Sequence, residues 1–300
     1  MRYRTLGNSG CAVSALCLGT MTFGTETAED GAHDQLDRFV EAGGNLVDTA
    51  DVYTAGAAEE IIGRWLASRP STVTDSVVLA TKGRFAMGSG PNDTGLSSRH
   101  LAKALDASLR RLGVQQVDLY QVHAWDPWTP LPETLRTLDG FVRSGKTEWE
   151  IVPAALDAGL GLLPWSPLGG GWLTGKYQRD ERPTGSTRLG EDPGRGMEAW
   201  ERRGTERTWN IIEAVQRIAE GRGVSMAQVA LSWVTNRAGV TSTILGARTL
   251  EQHEDNLGSV EVVLSDEDVA ALDEASDLHA TDYPYGDLAL DQRDRDLAGG

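Results

Sequence analysis

Cysteine is scarce in this chain: only Cys11 and Cys17 occur, with five residues between them. That spacing suits neither a disulfide framework nor a four-ligand metal site, and two thiols fit a reducing cytoplasm. Long apolar runs are missing as well. No window approaches the ~20 apolar residues of a membrane span, and the opening MRYRTLGNSG has no apolar signal core. A soluble, cytoplasmic protein is expected. Positive charge is in deficit, with 28 Lys and Arg against 44 Asp and Glu, giving a net charge of −16. Such a field repels nucleic-acid phosphates and anionic membrane surfaces, so neither is an expected partner. A shift in composition is also lacking. With 40% hydrophobic residues the chain supports one large core, and a single domain over 1–300 is expected. Within it, the polar Gly- and Pro-rich stretch at about 178–206 reads as a mobile loop. The tail at about 282–300 ends acidic and small.

What the chain does have is alternation. SALCLGT (14–20), NLVDTA (45–50), SVVLATK (76–82) and VDLYQVH (117–123) read as strands. Between them HDQLDRFVEAGG (33–44), EEIIGRWLAS (59–68) and RHLAKALDASLRRLG (99–113) read as amphipathic helices, two of them stopped by glycine. Near-continuously apolar strands in β-α alternation signal a parallel sheet covered by helices. A doubly wound sheet and a β/α barrel both fit. RYRTLGNSGCAVSAL (2–16) reads as a hairpin turned at 7–10, suited to cap a barrel's bottom. TWNIIEAVQRIAEGRG (208–223) and SMAQVALSWVTNR (225–237) read as further helices, the second capped by Ser225.

In parallel α/β architectures, reactive groups gather at the C-terminal ends of the strands. Three successive strands here end at Asp48 with Tyr53 just beyond, at Lys82, and at His123. Singly each has an ordinary structural role: a helix cap, a loop aromatic, a surface lysine, a core histidine. Together they make a proton donor. The Lys82 ammonium is expected to lower the pKa of the Tyr53 phenol, Asp48 to hold that ammonium in place, and His123 to hydrogen-bond a substrate carbonyl oxygen. The set lacks the spacing of a metal-ligand cluster, so no metal is implied.

VDTADVY, ATKGR, DLYQVH, LLPWSPLGGGWLTGKY (162–177) and ILGARTLEQHEDNL (244–257) together resemble the aldo-keto reductases, most closely the bacterial branch related to potassium-channel β subunits. The resemblance implies a TIM-type (β/α)8 barrel, NADPH as hydride donor, a small-molecule carbonyl substrate, and Asp48, Tyr53, Lys82 and His123 as a catalytic tetrad with Tyr53 as general acid. For the cofactor, the glycine run lets backbone amides approach a pyrophosphate closely, with charge from Lys176. Ser166, Leu168 and Gly170 belong to that segment. Gly246 and Arg248 follow the last strand. By resemblance Arg248 grips the adenosine 2′-phosphate, a task for which a bidentate guanidinium is suited, while Gln252 and Asn256 meet the adenine region. Gly19, Thr20 and Met21 match positions near the nicotinamide ribose. Trp125 and Trp128, just past His123, are candidates for a substrate wall.

One stretch departs from the family. PETLRTLDGFVRSGK (132–146) reads as a helix, and TEWEIVPAALDAGLG (147–161) reads as another, leading directly to the strand LLPWSPL. A β-α-β block is missing near Lys146–Glu148, leaving six recognisable barrel strands. In the family that block carries the serine–asparagine pair that holds the nicotinamide carboxamide. The expectation is an incomplete barrel without the fifth and sixth strands, which favours a homo-oligomer. The tetrad argues for an NADPH-dependent carbonyl reductase. The missing block argues for an NADP(H)-binding sensor or scaffold, or for a cofactor-independent lyase, isomerase or cyclase.

Overall fold

The computed structural model describes residues 1–143, 161–179, 181–185, 187–194 and 199–277. The junction at 145–148, most of the helix expected over 147–161, and the tail at 282–300 lie outside the described residues.

The chain opens with an antiparallel hairpin, β1 (Tyr3–Thr5) and β2 (Ala12–Ser14). Strand β3 (Leu16–Gly19) then begins a series of alternating helices and strands: α1 (Glu29–Glu41), β4 (Leu46–Asp48), α2 (Ala57–Ser68), the short α3 (Ser71–Thr74), β5 (Val78–Gly83), α4 (Ser98–Leu112), β6 (Leu119–Val122) and α5 (Leu131–Arg143). Two short helices, α6 (Arg188–Glu191) and α7 (Trp200–Arg203), precede α8 (Glu206–Arg222), α9 (Met226–Thr235), β7 (Thr243–Leu245), α10 (Leu250–Gly258) and α11 (Asp266–Ser276). The five longer-range strands form one parallel sheet in the order β6-β5-β4-β3-β7.

Helix ends follow local chemistry. Ser97 accepts from the His100 amide at the start of α4, and Gly113, at φ +70°, stops it. Capping boxes open α9 (Ser225 with Gln228) and α11 (Ser265 with Asp268).

Alternation along the strands sorts the core into two layers. Leu16, Leu18, Val47, Leu79 and Tyr120 pack outward against Leu36, Phe39, Ile62, Trp65, Leu101 and Leu105 of the covering helices. Cys17, Leu46, Ala80, Leu119 and Ile244 face inward, where Leu6, Cys11 and Val13 of the hairpin close the bottom. The same inward parity carries Asp48, Lys82, Gln121 and His123 to the opposite end.

Among the described residues five parallel strands pair, not six. Instead of a full strand over 162–168, Leu162 forms a single parallel bridge to Val240, and Pro164 accepts from the Ile244 amide at 2.9 Å. Pro164 has no N–H to continue the ladder, and Ser166 turns to φ +53°, which ends the extended run. The architecture is α/β and of the TIM type, with strand β6 and the 162–164 segment at its two flanks.

His253 of α10 is fully buried against Phe39, with ring centroids 6.2 Å apart. Burial is the main cause that pushes its pKa down to about 4; Glu254 opposes this and Arg38 adds to it. An unfolded histidine takes its proton near 6.5, so acid favours the unfolded chain between that value and 4. Stability is therefore expected to fall by about 2 to 3 kcal/mol from this residue as pH drops from 7 to 4.5. Urea melts at the two pH values check it: His253→Gln should remove that share, and an equal acid loss in the variant would refute the assignment.

Candidate active site

The chain leaves β4 at Asp48 and stays tied to β5 for one more turn, with the Thr49 amide donating to Ala80 and the Asp51 amide to Lys82. It then bends sharply. Thr54, Ala55 and Gly56 take successive left-handed conformations at φ +49°, +54° and +100°. For Thr54 and Ala55 this costs on the order of 1 kcal/mol or more each. The Thr54 hydroxyl donates to the Phe23 carbonyl at 2.8 Å and helps hold the turn. A Cβ at Gly56 would meet the Arg111 side chain at 2.8 Å, so that residue has both a conformational and a steric reason to be glycine. The bend sets Tyr53 above the sheet's inward face.

There the four expected groups come together. Lys82 Nζ donates to Asp48 Oδ2 at 2.5 Å, to the Thr49 carbonyl at 2.8 Å and to the Tyr53 hydroxyl at 3.3 Å. Asp48 is 2% exposed and Lys82 8%, so the ion pair is desolvated. The ring of His123 stands edge-on to Tyr53 at 5.5 Å between centroids, and to Phe85 at 4.8 Å.

Electrostatics corrects one expectation. Burial raises the Tyr53 phenol above its ordinary value; the Lys82 ammonium pulls it back without cancelling the rise, and Asp48 adds to it. The lowered pKa expected from the Tyr53–Lys82 pairing is reversed, because desolvation of the phenolate outweighs one ammonium that Asp48 already neutralises. For Lys82 burial disfavours the charge, but Asp48 and Tyr53 together hold its pKa above the ordinary lysine value. Burial first, then the charges of Lys82 and Arg84, push His123 down to about 4. At neutral pH the site thus holds a protonated phenol, a charged ammonium and a neutral imidazole.

The other candidate residues lie along the same end of the sheet. Gly19 closes β3 where a Cβ would stand 2.7 Å from Ile244 Cγ2. Thr20 is buried and bonds the Asp48 carbonyl through its amide and hydroxyl, while Met21 is 45% exposed. In the glycine segment Leu168 accepts from the Gly171 and Leu173 amides, Gly169, Gly170 and Gly171 all have positive φ, and Lys176 Nζ lies 5.4 Å from the Tyr177 ring centroid. Gly246 lies beside Gly19, with a Cβ on it 3.8 Å from the Gly19 carbonyl. Arg248 pairs with Glu26 at 3.1 Å and Glu191 at 2.9 Å; its amide donates to the Gln252 side chain at 3.0 Å, and Asn256 is buried behind it. Trp125 and Trp128 are 62% and 91% exposed, on the loop beyond His123. Among the described residues no group of three His, Cys, Asp or Glu side chains is arranged to hold a metal.

Two features escaped sequence reasoning. Gln121 donates to Asp48 Oδ1 at 2.8 Å and so holds the carboxylate's second oxygen. Its signal was strand parity, since it precedes His123 by two residues. The second is an aromatic cluster in which Trp172 stacks on Trp200 and meets Trp209 and Tyr177 edge-on. It fastens part of the 178–206 stretch, whose Leu189 is fully buried, to the glycine segment.

The model of the aldo/keto reductase family matches residues 15–149 and 147–277, two stretches that overlap at 147–149. An uncharacterized oxidoreductase, YrpG, of Bacillus subtilis is 32% identical over 89% of this chain and 93% of its own length. That alignment runs 317 positions against 89% of 300 residues, about 267, so about 50 positions have no counterpart here. A probable voltage-gated potassium channel subunit beta of Oryza sativa subsp. japonica is 32% identical over 88% of this chain and 92% of its own. Norsolorinic acid reductase stcV of Emericella nidulans is 30% identical over 89% and 79%. A family match on both sides of the junction, with relatives at 30% identity or more over most of the chain, establishes that this protein belongs to the aldo/keto reductase family.

Proposed function

We propose that the protein reduces an aldehyde or ketone to an alcohol with NADPH, with Tyr53 as the general acid. The observation that carries this reading is the Asp48–Lys82–Tyr53 chain of contacts at 2.5 and 3.3 Å, beside a neutral His123. The residues at the phosphate end suit the cofactor. Consecutive glycines with positive φ carry no Cβ to keep a pyrophosphate from the backbone, although the Gly169 and Gly171 amides donate to the Ser166 and Leu168 carbonyls, and Arg248 supplies a guanidinium for the 2′-phosphate, with Gln252 and Asn256 on the adenine side. When bound, NADPH supplies a hydride to the carbonyl carbon.

The chain's own groups do the rest. The neutral His123 donates a hydrogen bond to the carbonyl oxygen and orients it. Tyr53, kept protonated by its raised pKa, gives that oxygen a proton as negative charge grows there. Lys82 stabilises the phenolate left behind, and Asp48, held by Gln121, keeps the ammonium aimed. Solvent then restores the phenol's proton. The exposed Trp125 and Trp128, on the loop beyond His123, favour a flat aromatic carbonyl compound. No helix among the described residues is long and apolar enough to cross a membrane. A cytoplasmic enzyme suits its free thiols Cys11 and Cys17.

A second reading is favoured by the division of the family match into two stretches that overlap at 147–149, with about 50 positions of a relative's alignment lacking a counterpart here. A protein lacking the segment that holds the nicotinamide carboxamide would bind NADP(H) without turning it over. NADPH fluorescence titration combined with aldehyde turnover separates the two: binding with oxidation supports the reductase, and binding alone supports the second reading.

Cofactor choice has its own test. Arg248→Ala is expected to weaken NADPH binding by about 1.5 kcal/mol, the lower end for a hydrogen bond to a charged group. The low value reflects the contacts with Glu26 and Glu191 that the guanidinium gives up to meet a phosphate. NADH binding should barely change. Equal losses for both, by the same titration, would show that Arg248 does not read the 2′-phosphate.

A further inference from the structure

The mouth of the site holds a second cation that the reduction as drawn does not use. Arg84 follows the last residue of β5 and lies two positions beyond Lys82. Contacts tie it to the reacting groups. Its Cζ stands over the Phe85 ring, 5.0 Å from the centroid, and the same ring meets the His123 imidazole edge-on at 4.8 Å. Its Nη2 donates at 3.2 Å to the carbonyl of Trp125, two residues past His123. The imidazole feels its charge as well, since after burial and Lys82 it is the third cause that holds the pKa of His123 down.

This guanidinium is short of partners. Lys82 is paired with Asp48 at 2.5 Å, whereas among the described residues no carboxylate pairs with Arg84. Its one side-chain hydrogen bond among those residues is the bond to Trp125, and its Nε is buried with none. Asp126, on the loop that carries Trp125, is engaged elsewhere. Its oxygens accept from the Leu96 amide at 2.8 Å, the Thr129 hydroxyl at 2.6 Å and the Trp128 amide at 3.0 Å. A half-buried cation with donors left over suits an anionic ligand, because a carboxylate matches the planar fork of a guanidinium. The overall field gives an anion no help in a chain of net charge −16, so contact with Arg84 has to supply the attraction.

We propose that Arg84 selects the substrate: it holds the carboxylate of an aryl acid whose aldehyde or ketone oxygen lies at Tyr53 and His123, so that the protein favours carboxylated aromatic carbonyl compounds over neutral ones. Phe85 and the exposed Trp125 offer apolar surface for the aryl ring between the two ends. The proposal rests on the reductase reading for its effect on turnover, but its effect on binding stands apart from it.

The test compares 4-carboxybenzaldehyde with its uncharged methyl ester in the parent, in Arg84→Met and in Arg84→Lys. The parent is expected to favour the acid in kcat/KM by about tenfold or more, and Arg84→Met should remove about tenfold of that preference through KM rather than kcat. Arg84→Lys keeps the charge without the fork and should retain part of it. If the guanidinium only fastens the loop through Trp125, both substrates will suffer alike. An unchanged ratio in Arg84→Met would therefore overturn the proposal, as would a parent with no preference for the acid. Binding is read separately by isothermal titration of the full chain with the unreactive product 4-(hydroxymethyl)benzoate in the presence of NADPH. Its Kd should rise about tenfold in Arg84→Met; equal affinities, or no binding to either protein, would overturn the proposal. If neither aldehyde is reduced by any of the three proteins, the reductase reading fails by itself, and this titration still decides the role of Arg84.

Discussion

Tyr53→Phe is expected to lower carbonyl reduction by ~10²-fold or more and to leave NADPH affinity within about twofold. The change removes one oxygen and keeps the ring, so the edge contact with His123 and the packing of the strained turn survive. What disappears is the hydroxyl, whose oxygen accepts from Lys82 Nζ at 3.3 Å, and with it the proton to be given to the substrate. No other described group at the site is equipped to replace it: His123 is neutral with its pKa near 4, and the ammonium of Lys82 is held by Asp48 and the Thr49 carbonyl. Initial rates of NADPH oxidation and a fluorescence titration measure the two quantities. Full turnover in the variant would remove Tyr53 from the mechanism.

Lys82→Met is expected to cost stability as well as rate. Asp48 is 2% exposed and would keep only its bond from Gln121, leaving a buried carboxylate without its counter-charge. Breaking a buried pair from one side costs about 3 to 5 kcal/mol. Turnover should fall at least ~10²-fold, because the phenolate of Tyr53 loses the cation that stabilises it. Adding Asp48→Asn to Lys82→Met should recover much of the stability and none of the rate, since a neutral amide no longer needs the ammonium. Urea denaturation of the two single variants and the double variant closes the cycle. A loss below about 1 kcal/mol in Lys82→Met would contradict a desolvated pair at this position.

Much of this architecture is written into short runs of residues. Leu46–Asp48, Val78–Gly83 and Leu119–Val122 read as strands because they are apolar and alternate with amphipathic helices, and their tips named Asp48, Lys82 and His123. The hairpin at the bottom was equally plain. What escaped depended on contacts between distant segments. The strand expected over 162–168 shrank to a bridge at Leu162 because Pro164 and Ser166 end the ladder, a local signal that the apolar run masked. Helix α11 went unread, although Ser265 and Asp268 form its capping box. The direction of the Tyr53 shift needs the depth of burial, which neighbours in sequence do not reveal. The partners of Arg248 come from the loop after β3 and from α6, and the Glu59–Arg111 pair spans 52 positions; no periodicity announces either.

The proposed reductase is expected to support hydride transfer from NADPH although about 50 positions of the YrpG alignment have no counterpart in this chain. The most direct measurement is the loss of NADPH fluorescence on mixing the full chain with NADPH and an aromatic aldehyde, followed to completion beside the same mixture without aldehyde. The account predicts oxidation that depends on the aldehyde, yields the corresponding alcohol, and falls at least ~10²-fold in Tyr53→Phe. Saturable binding of NADPH with no aldehyde-dependent oxidation would contradict it, and would make the protein one that holds the cofactor without using it.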